Sequence, residues 1–153
     1  MVDRVVVYTL TQFPDIEEVT FAIDGQRDAV FSSEGVVLDG PQNRLDYVES
    51  LPRIFLDRPG AGARATSPVS ITGMANSVEA NVLYEITSAE GAVLAEGFTT
   101  ATCGTGCWGE WGQVVKFNVD ENADALITVF EDSAVDGSRI NALRYPVTLV
   151  PGD

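Results

Sequence analysis

The chain has 153 residues, 45% of them apolar, with 23 acidic against 9 basic side chains and a formal charge of −14. That length suits one ordinary domain or one domain with a partial neighbour, and the apolar content is enough for a packed core. The charge repels phosphate backbones and anionic lipid, which disfavours nucleic-acid and membrane-surface binding; because the acids are dispersed, solubility or adaptation to a salty medium explains them better than an acidic binding face.

The absence of histidine removes Ser-His-Asp and Cys-His catalysis, H-E-x-x-H zinc sites and every His-ligated metal. Two cysteines alone cannot complete a structural zinc site. There is no G-x-S-x-G elbow, Walker loop or G-x-G-x-x-G fingerprint. No cofactor and no metal site is therefore expected. No window approaches the ~18 consecutive apolar residues of a membrane span. The N-terminus lacks the basic-then-apolar pattern of a secretory signal, so an exported protein would carry this sequence as a mature or excised piece.

In chain order, Val2, Val5, Val6, Thr9, Leu10 and Phe13 recur at offsets of three and four, predicting a helix that buries this face and stops at Pro14-Asp15. The β-branched run Val5-Val6-Val7 pulls the other way. Val19, Phe21 and Ile23 alternate with polar or small residues and predict a strand ended by Asp24-Gly25, with Ala29, Val30 and Phe31 as its returning partner. Ser32 to Tyr47 is turn-rich and reads as a linker or a frayed edge. From Leu51 onward, strands are expected around Ile54–Leu56, at Val69–Ile71 closed by Gly73, and at Val82–Ile86. Ala89-Glu90-Gly91 turns the chain into Val93–Thr100. Val115, Phe117 and Val119 predict the next strand. Leu126–Glu131, apolar on both faces, reads as central, and Leu143–Leu149 as an edge because of Pro146. About seven short strands with no helical period between them predict an antiparallel β-sandwich preceded by a small α/β remnant.

The stretch from about Leu51 to Val150 resembles the immunoglobulin-like domain of bacterial spore-germination proteins. The residues that carry the likeness are P-R-I-F-L-D-R-P, S-P-V-S-I-T-G-M-A-N-S-V-E-A-N-V, the G-x-V-L-A-E-G hairpin return, W-G-E-W-G, and F-E-D-S-A-V-D-G-S with a closing P-V-T-L. The N-terminal V-Y-T-L-T-Q-F-P-D-I-E-E-V-T-F-A-I-D-G and the later D-G-P-Q-N-R-L-D-Y resemble the closing part of the sporulation and germination domain of GerM-like lipoproteins. The expected organisation is thus a partial GerM-like domain over 1–47 and an immunoglobulin-like domain over 51–150. The resemblance implies an extracytoplasmic location, secreted or lipid-anchored, and a binding or assembly role without catalytic residues. The expected partner is an envelope protein or, alternatively, a cell-wall glycan; an accessory role beside an envelope hydrolase is a third reading. An unpaired strand at 19–23 would leave an edge through which two copies could pair.

Cys103 and Cys107 bracket Gly104-Thr105-Gly106 and depart from the family pattern. A small disulfide is expected, since glycines permit tight closure and an exported protein keeps it oxidised; free thiols and a redox or metal-binding pair are the alternatives. Trp108 and Trp111 are the candidate binding residues, by stacking on a sugar or anchoring a protein contact, with core packing as the competing role. Their spacing puts one inside and one partly outside. Asp120, Glu121 and Asp124, and separately Asp132, Asp136 and Ser138, have the oxygen chemistry of calcium ligands but match no calcium-loop pattern and read as solvated turns. Sequence spacing places no two carboxylates across a glycosidic bond.

Overall fold

A computed structural model describes residues 2–13, 15–27, 30, 35, 37–38 and 40–152. It divides into two compact units, Met1–Ser50 and Leu51–Asp153.

The first unit opens with helix α1, Val2–Leu10. The face it buries is not the one the periodicity predicted. Val7 and Thr11 point inward, one turn apart, while Val5 and Phe13 are 61% and 60% exposed. Hydrogen bonding decides this orientation. Arg44 donates from Nε to Thr11 Oγ1 at 2.6 Å and from Nη2 to the Tyr8 carbonyl at 3.2 Å, satisfying an acceptor the helix end leaves open. Tyr8 returns a bond from its hydroxyl to the Arg44 carbonyl at 3.0 Å. The predicted strand at 19–23 is replaced by isolated contacts: Val19 pairs with Gln42, and Ile23 pairs with Gln26 around a tight turn at Asp24-Gly25. Val30 pairs with Val37 rather than with that strand; the rest of its predicted partner segment, Ala29 and Phe31, lies outside the described residues. The supposed linker is structural at its C-terminal end. It carries Gln42, Arg44 and a 3-10 helix over Arg44–Ser50.

The second unit holds eight strands: β1 Ile54–Arg58, β2 Arg64–Thr66, β3 Val69–Ala75, β4 Asn81–Ser88, β5 Val93–Thr100, β6 Gly109–Val115, β7 Ala123–Asp132 and β8 Arg139–Val150. They form a three-stranded sheet, β1-β3-β6, and a five-stranded sheet, β2-β8-β7-β4-β5. The protein is mainly β, an immunoglobulin-like sandwich as the alternation predicted. The core follows directly from period two: Val69, Ile71 and Ala75 on β3 and Trp111 and Val115 on β6 meet Val82, Tyr84 and Ile86 on β4, Ala125, Ile127 and Val129 on β7, and Val147 and Leu149 on β8.

Four details depart from expectation. The added strand is β2, three residues between turns and therefore without a legible alternation, which pairs parallel to the end of β8. Strand β6 lies earlier than predicted, over the glycine-rich W-G-E-W-G segment; Phe117 still points into the core, but its N–H bonds to Ser67 Oγ at 3.0 Å instead of a ladder partner. Gly73 does not close β3; it sits in mid-strand, opposite both Leu56 and Trp111. Strand β8 is an inner strand, so the edge reading of Pro146 fails. The β2 ladder begins only at Thr148, and the Pro146 carbonyl accepts the Gly62 N–H at 2.6 Å on that side, so the proline's missing donor interrupts no ladder. Strand β7 is central, as its doubly apolar sequence implied. Its outward Phe130 is covered by the Arg139 guanidinium, 3.7 Å from the ring centroid, which also pairs with Glu85 at 3.1 Å.

One polar contact crosses the core. The Leu56 N–H on β1 donates to the Tyr145 hydroxyl oxygen on β8 at 3.1 Å. Burial raises the Tyr145 pKa above its ordinary 10; the Leu56 bond opposes this and the Asp57 charge adds to it. A folded-state value above the unfolded one gives stability that is complete below pH ~10 and lost as pH climbs through the folded value. Urea unfolding midpoints of the sandwich are therefore expected to stay level to about pH 9 and decline beyond 10. Tyr145→Phe should remove that component of the decline while lowering stability at neutral pH by about 1 kcal/mol, because Leu56 loses its acceptor. An unchanged alkaline slope in the variant contradicts this assignment.

Candidate functional site

The approach to β1 and the β3–β4, β5–β6 and β7–β8 connections all emerge at one end of the sandwich, as the pairings Ile54↔Ala75, Ala75↔Gly109, Asn81↔Thr100 and Asp132↔Arg139 require. A buried carboxylate organises this end. Glu131, the penultimate residue of β7, is 2% exposed. Its Oε2 accepts the Val78 N–H at 2.9 Å, and its Oε1 accepts Asn141 Nδ2 and lies 3.8 Å from Arg53 Nε. Arg53 also donates from Nε and Nη2 to the Asn76 carbonyl, at 3.1 and 2.8 Å. One carboxylate thus ties together the approach to β1, the β3–β4 turn and the start of β8.

Local backbone irregularities bring these groups into place. Between the pairs Val129↔Leu143 and Glu131↔Ile140, β7 advances two residues and β8 three, so β8 carries a bulge. Asn141 occupies it at φ 51°, and its amide reaches Glu131 from there. The β3–β4 turn holds Glu79 and Ala80 at φ 56° and 60°, a left-handed conformation uncommon for residues other than glycine. Ser77 is fully buried beneath that turn.

Cys103 and Cys107 form a disulfide in the β5–β6 loop, with Cα atoms 5.8 Å apart. The loop leans on the β3–β4 turn: the Thr105 N–H donates to the Ser77 carbonyl at 2.8 Å, the Gly106 N–H to Asn76 Oδ1 at 2.9 Å, and the Glu79 N–H to Thr105 Oγ1 at 3.0 Å. Gly104 lies so close to this turn that a Cβ there would stand 2.3 Å from the Ala80 nitrogen. Immediately after the disulfide, Trp108 is half-buried at the rim. Val78, Ile140 and Val135, the last 94% exposed, share this end with exposed Glu79, Glu110, Asp132 and Asp136.

The two candidate tryptophans are separated by the fold. Trp111 is 4% exposed and packs in the core, which removes it from any contact surface. Trp108 precedes β6 and lies outside its alternation, so strand spacing does not fix its face. The acidic groups are separated as well. Asp120, Glu121 and Asp124 lie at the opposite end, around the start of β7. Asp136 serves its own turn: Oδ1 accepts the Ser138 hydroxyl at 2.7 Å and the Ser138 N–H at 3.1 Å, and these bonds hold its carboxyl below the usual aspartate range. Among the described residues no three His, Cys, Asp or Glu side chains are gathered as metal ligands.

Sequence reading missed Arg53, Asn76, Glu131 and Asn141. The available signal was Glu131 itself, a carboxylate closing a strand otherwise apolar on both faces, since such a charge must be exposed or paired.

Two sheets, a core between them and loops gathered at one braced end define an immunoglobulin-like β-sandwich module. Residues 53–138 match the family model described as the immunoglobulin-like domain of bacterial spore germination, and the chain belongs to that family. The match begins at Arg53 and stops before β8, which the structure includes in the same sheet. No curated protein and no solved structure shows significant similarity to the chain.

Proposed function

We propose that this protein is a non-catalytic, extracytoplasmic protein-interaction module of a cell-envelope or germination-associated assembly, and that the disulfide-bearing loop end is its contact surface. The observation that carries this reading is the combination at that end of rigid bracing with displayed apolar groups. Arg53, Glu131 and Asn141 fix the loops from below, while Trp108, Val78, Val135 and Ile140 stand at the rim. Loops held on a rigid scaffold bind at low ordering cost. Membership of the germination-associated family and the absence, among the described residues, of a helix long and apolar enough to cross a membrane are compatible with an envelope location. Residues 1–47 are read as the closing part of a GerM-like domain ahead of this module, on their sequence resemblance.

Cross-linking from a photoreactive group at Val135 in the native envelope tests the proposal. Recovery of a defined protein partner, lost on Val78→Asp or Ile140→Asp, is expected; recovery of uncross-linked monomer alone overturns it. Trp108 supports a second reading, stacking on cell-wall glycan. Peptidoglycan fragments should then quench the fluorescence of wild type but not of Trp108→Phe, and failure of sacculi to retain the protein eliminates that reading. Pairing of two copies through residues 1–47, where Val5, Phe13 and Leu45 are exposed, predicts a mass that rises with concentration in sedimentation; a monomer throughout removes it.

A further inference from the structure

We infer that the Cys103–Cys107 disulfide is a redox latch that sets the conformation of the loop end without governing the stability of the sandwich. The inference rests on the proposed contact surface only for its biological consequence. Its structural content stands on the contacts around the ring.

The disulfide joins residues four apart in sequence and closes a ring wholly inside one loop. It joins no two strands and no two sheets. Of the loop from Ala101 to Trp108, only Ala101 belongs to the core, and it lies before the ring. The core residues on β3, β4, β6, β7 and β8 are thus held in place independently of the sulfur atoms. What the ring does hold is the β3–β4 turn. Three hydrogen bonds connect them, through Thr105 to Ser77 and Glu79 and through Gly106 to Asn76.

The backbone on both sides of this contact is in an unfavourable conformation. Thr105 is β-branched and sits at φ 51° inside the ring, while Glu79 and Ala80 occupy the left-handed region in succession across from it. Such residues persist where their surroundings over-determine them. Closure of the ring and the three hydrogen bonds supply those surroundings at Thr105 and Glu79, while Ala80 is also held from outside the ring, its carbonyl accepting the Ala101 N–H at 2.8 Å. With the ring opened, Thr105 can return to an extended or right-handed conformation, and its bonds to Ser77 and Glu79 are broken as it does so. The Glu79 N–H then loses its acceptor, while Ala80 stays bonded to Ala101. The base of the turn remains, because the Val78 N–H is held by Glu131, outside the ring.

The chemistry is thiol–disulfide exchange with a dithiol reductant, a small molecule or an oxidoreductase. One thiolate of the reductant attacks Cys103 or Cys107, the S–S bond breaks, and the second reductant thiol resolves the mixed disulfide. Two electrons and two protons pass to the cysteines, and the reductant leaves as its own disulfide. Both cysteines are partly accessible and the ring's apex, Thr105-Gly106, is exposed, so attack does not require unfolding. Trp108 follows Cys107 directly and is carried by the same loop, so the latch controls the presentation of the aromatic side chain nearest the ring.

Hydrogen exchange on the intact chain, oxidised and after treatment with dithiothreitol, tests this without a partner. The amides of Glu79, Thr105 and Gly106 should exchange at least tenfold faster in the reduced protein. Those of β4 and β7 should be unchanged, and acrylamide should quench Trp108 more strongly. The Cys103→Ser/Cys107→Ser double variant should reproduce the reduced pattern under oxidising conditions. Equal exchange rates at the three amides in both redox states overturn the latch. So does loss of protection throughout the sheets on reduction, or a disulfide that dithiothreitol reduces only in denaturant. Binding is read separately: a partner captured equally in both states leaves the contact surface standing but removes the latch's role in it, whereas no partner in either state defeats the proposed function and leaves the exchange result intact.

Discussion

Glu131→Ala is expected to lower the stability of the sandwich by about 3 kcal/mol, or roughly 12 °C in melting temperature for a domain of this size. The wild-type carboxylate is desolvated, and three donors repay that desolvation: the Val78 N–H, the Asn141 amide and, at longer range, the Arg53 guanidinium. Truncation removes the acceptor of the first two; because Val78 and Asn141 are themselves exposed, water recovers part of that loss. Removing one partner of a buried ion pair costs about 3–5 kcal/mol. Arg53 places this case at the lower end, because its side chain is 53% exposed and keeps water when Glu131 is gone. Glu131→Gln retains one acceptor oxygen but aims an NH2 at one of the two donors, so about half the loss is expected. Thermal denaturation measures the ranking wild type > Gln > Ala. A Glu131→Ala protein as stable as wild type would show that the carboxylate is not what ties the loops together.

This carboxylate also marks the boundary of what sequence conveys. The sheet core was legible because period two records which face is wet: Val82-Tyr84-Ile86 and Val147-Leu149 have to point one way whatever surrounds them. The same signal failed on β6, where glycines occupy positions 109 and 112 and leave the alternation to Trp111 and Val115 alone. It misled on α1, whose apolar stripe lost to the hydrogen bonds Arg44 makes from 33 residues away. The cysteine spacing drew attention to the right loop. The tie beneath it was invisible, since Arg53, Asn76, Glu131 and Asn141 are far apart in sequence and meet only through strand register and a bulge in β8.

Gly73→Ala should be still more damaging, and its failure to be rescued is the sharper prediction. A Cβ at position 73 would stand 1.9 Å from the Phe55 carbonyl oxygen, 2.9 Å from the Phe55 carbonyl carbon and 2.8 Å from Cζ2 of Trp111. Two of these three atoms are backbone of the neighbouring strand β1. A side chain that clashes can change rotamer; a paired backbone can yield only by moving its strand. Overpacking typically costs about 1–3 kcal/mol, and a clash with backbone lies at or beyond the upper end. Because Gly73 faces Trp111 across the ladder, the missing side chain is also what admits the indole to the core. Trp111→Ala should therefore cost about 3–5 kcal/mol as a large-to-small core change. Trp111→Phe should cost less, since the indole N–H it deletes is buried without a hydrogen-bond partner. If the indole were the main obstacle, Trp111→Phe would recover much of the loss in Gly73→Ala. The geometry says otherwise, since the nearest obstacle is the Phe55 carbonyl, which no substitution at 111 relocates. The double variant is expected to stay within about 1 kcal/mol of Gly73→Ala alone or below it in urea unfolding. Recovery to near wild-type stability would place the conflict in the core rather than in the β1–β3 pairing, and would reassign Gly73 from a backbone constraint to a packing one.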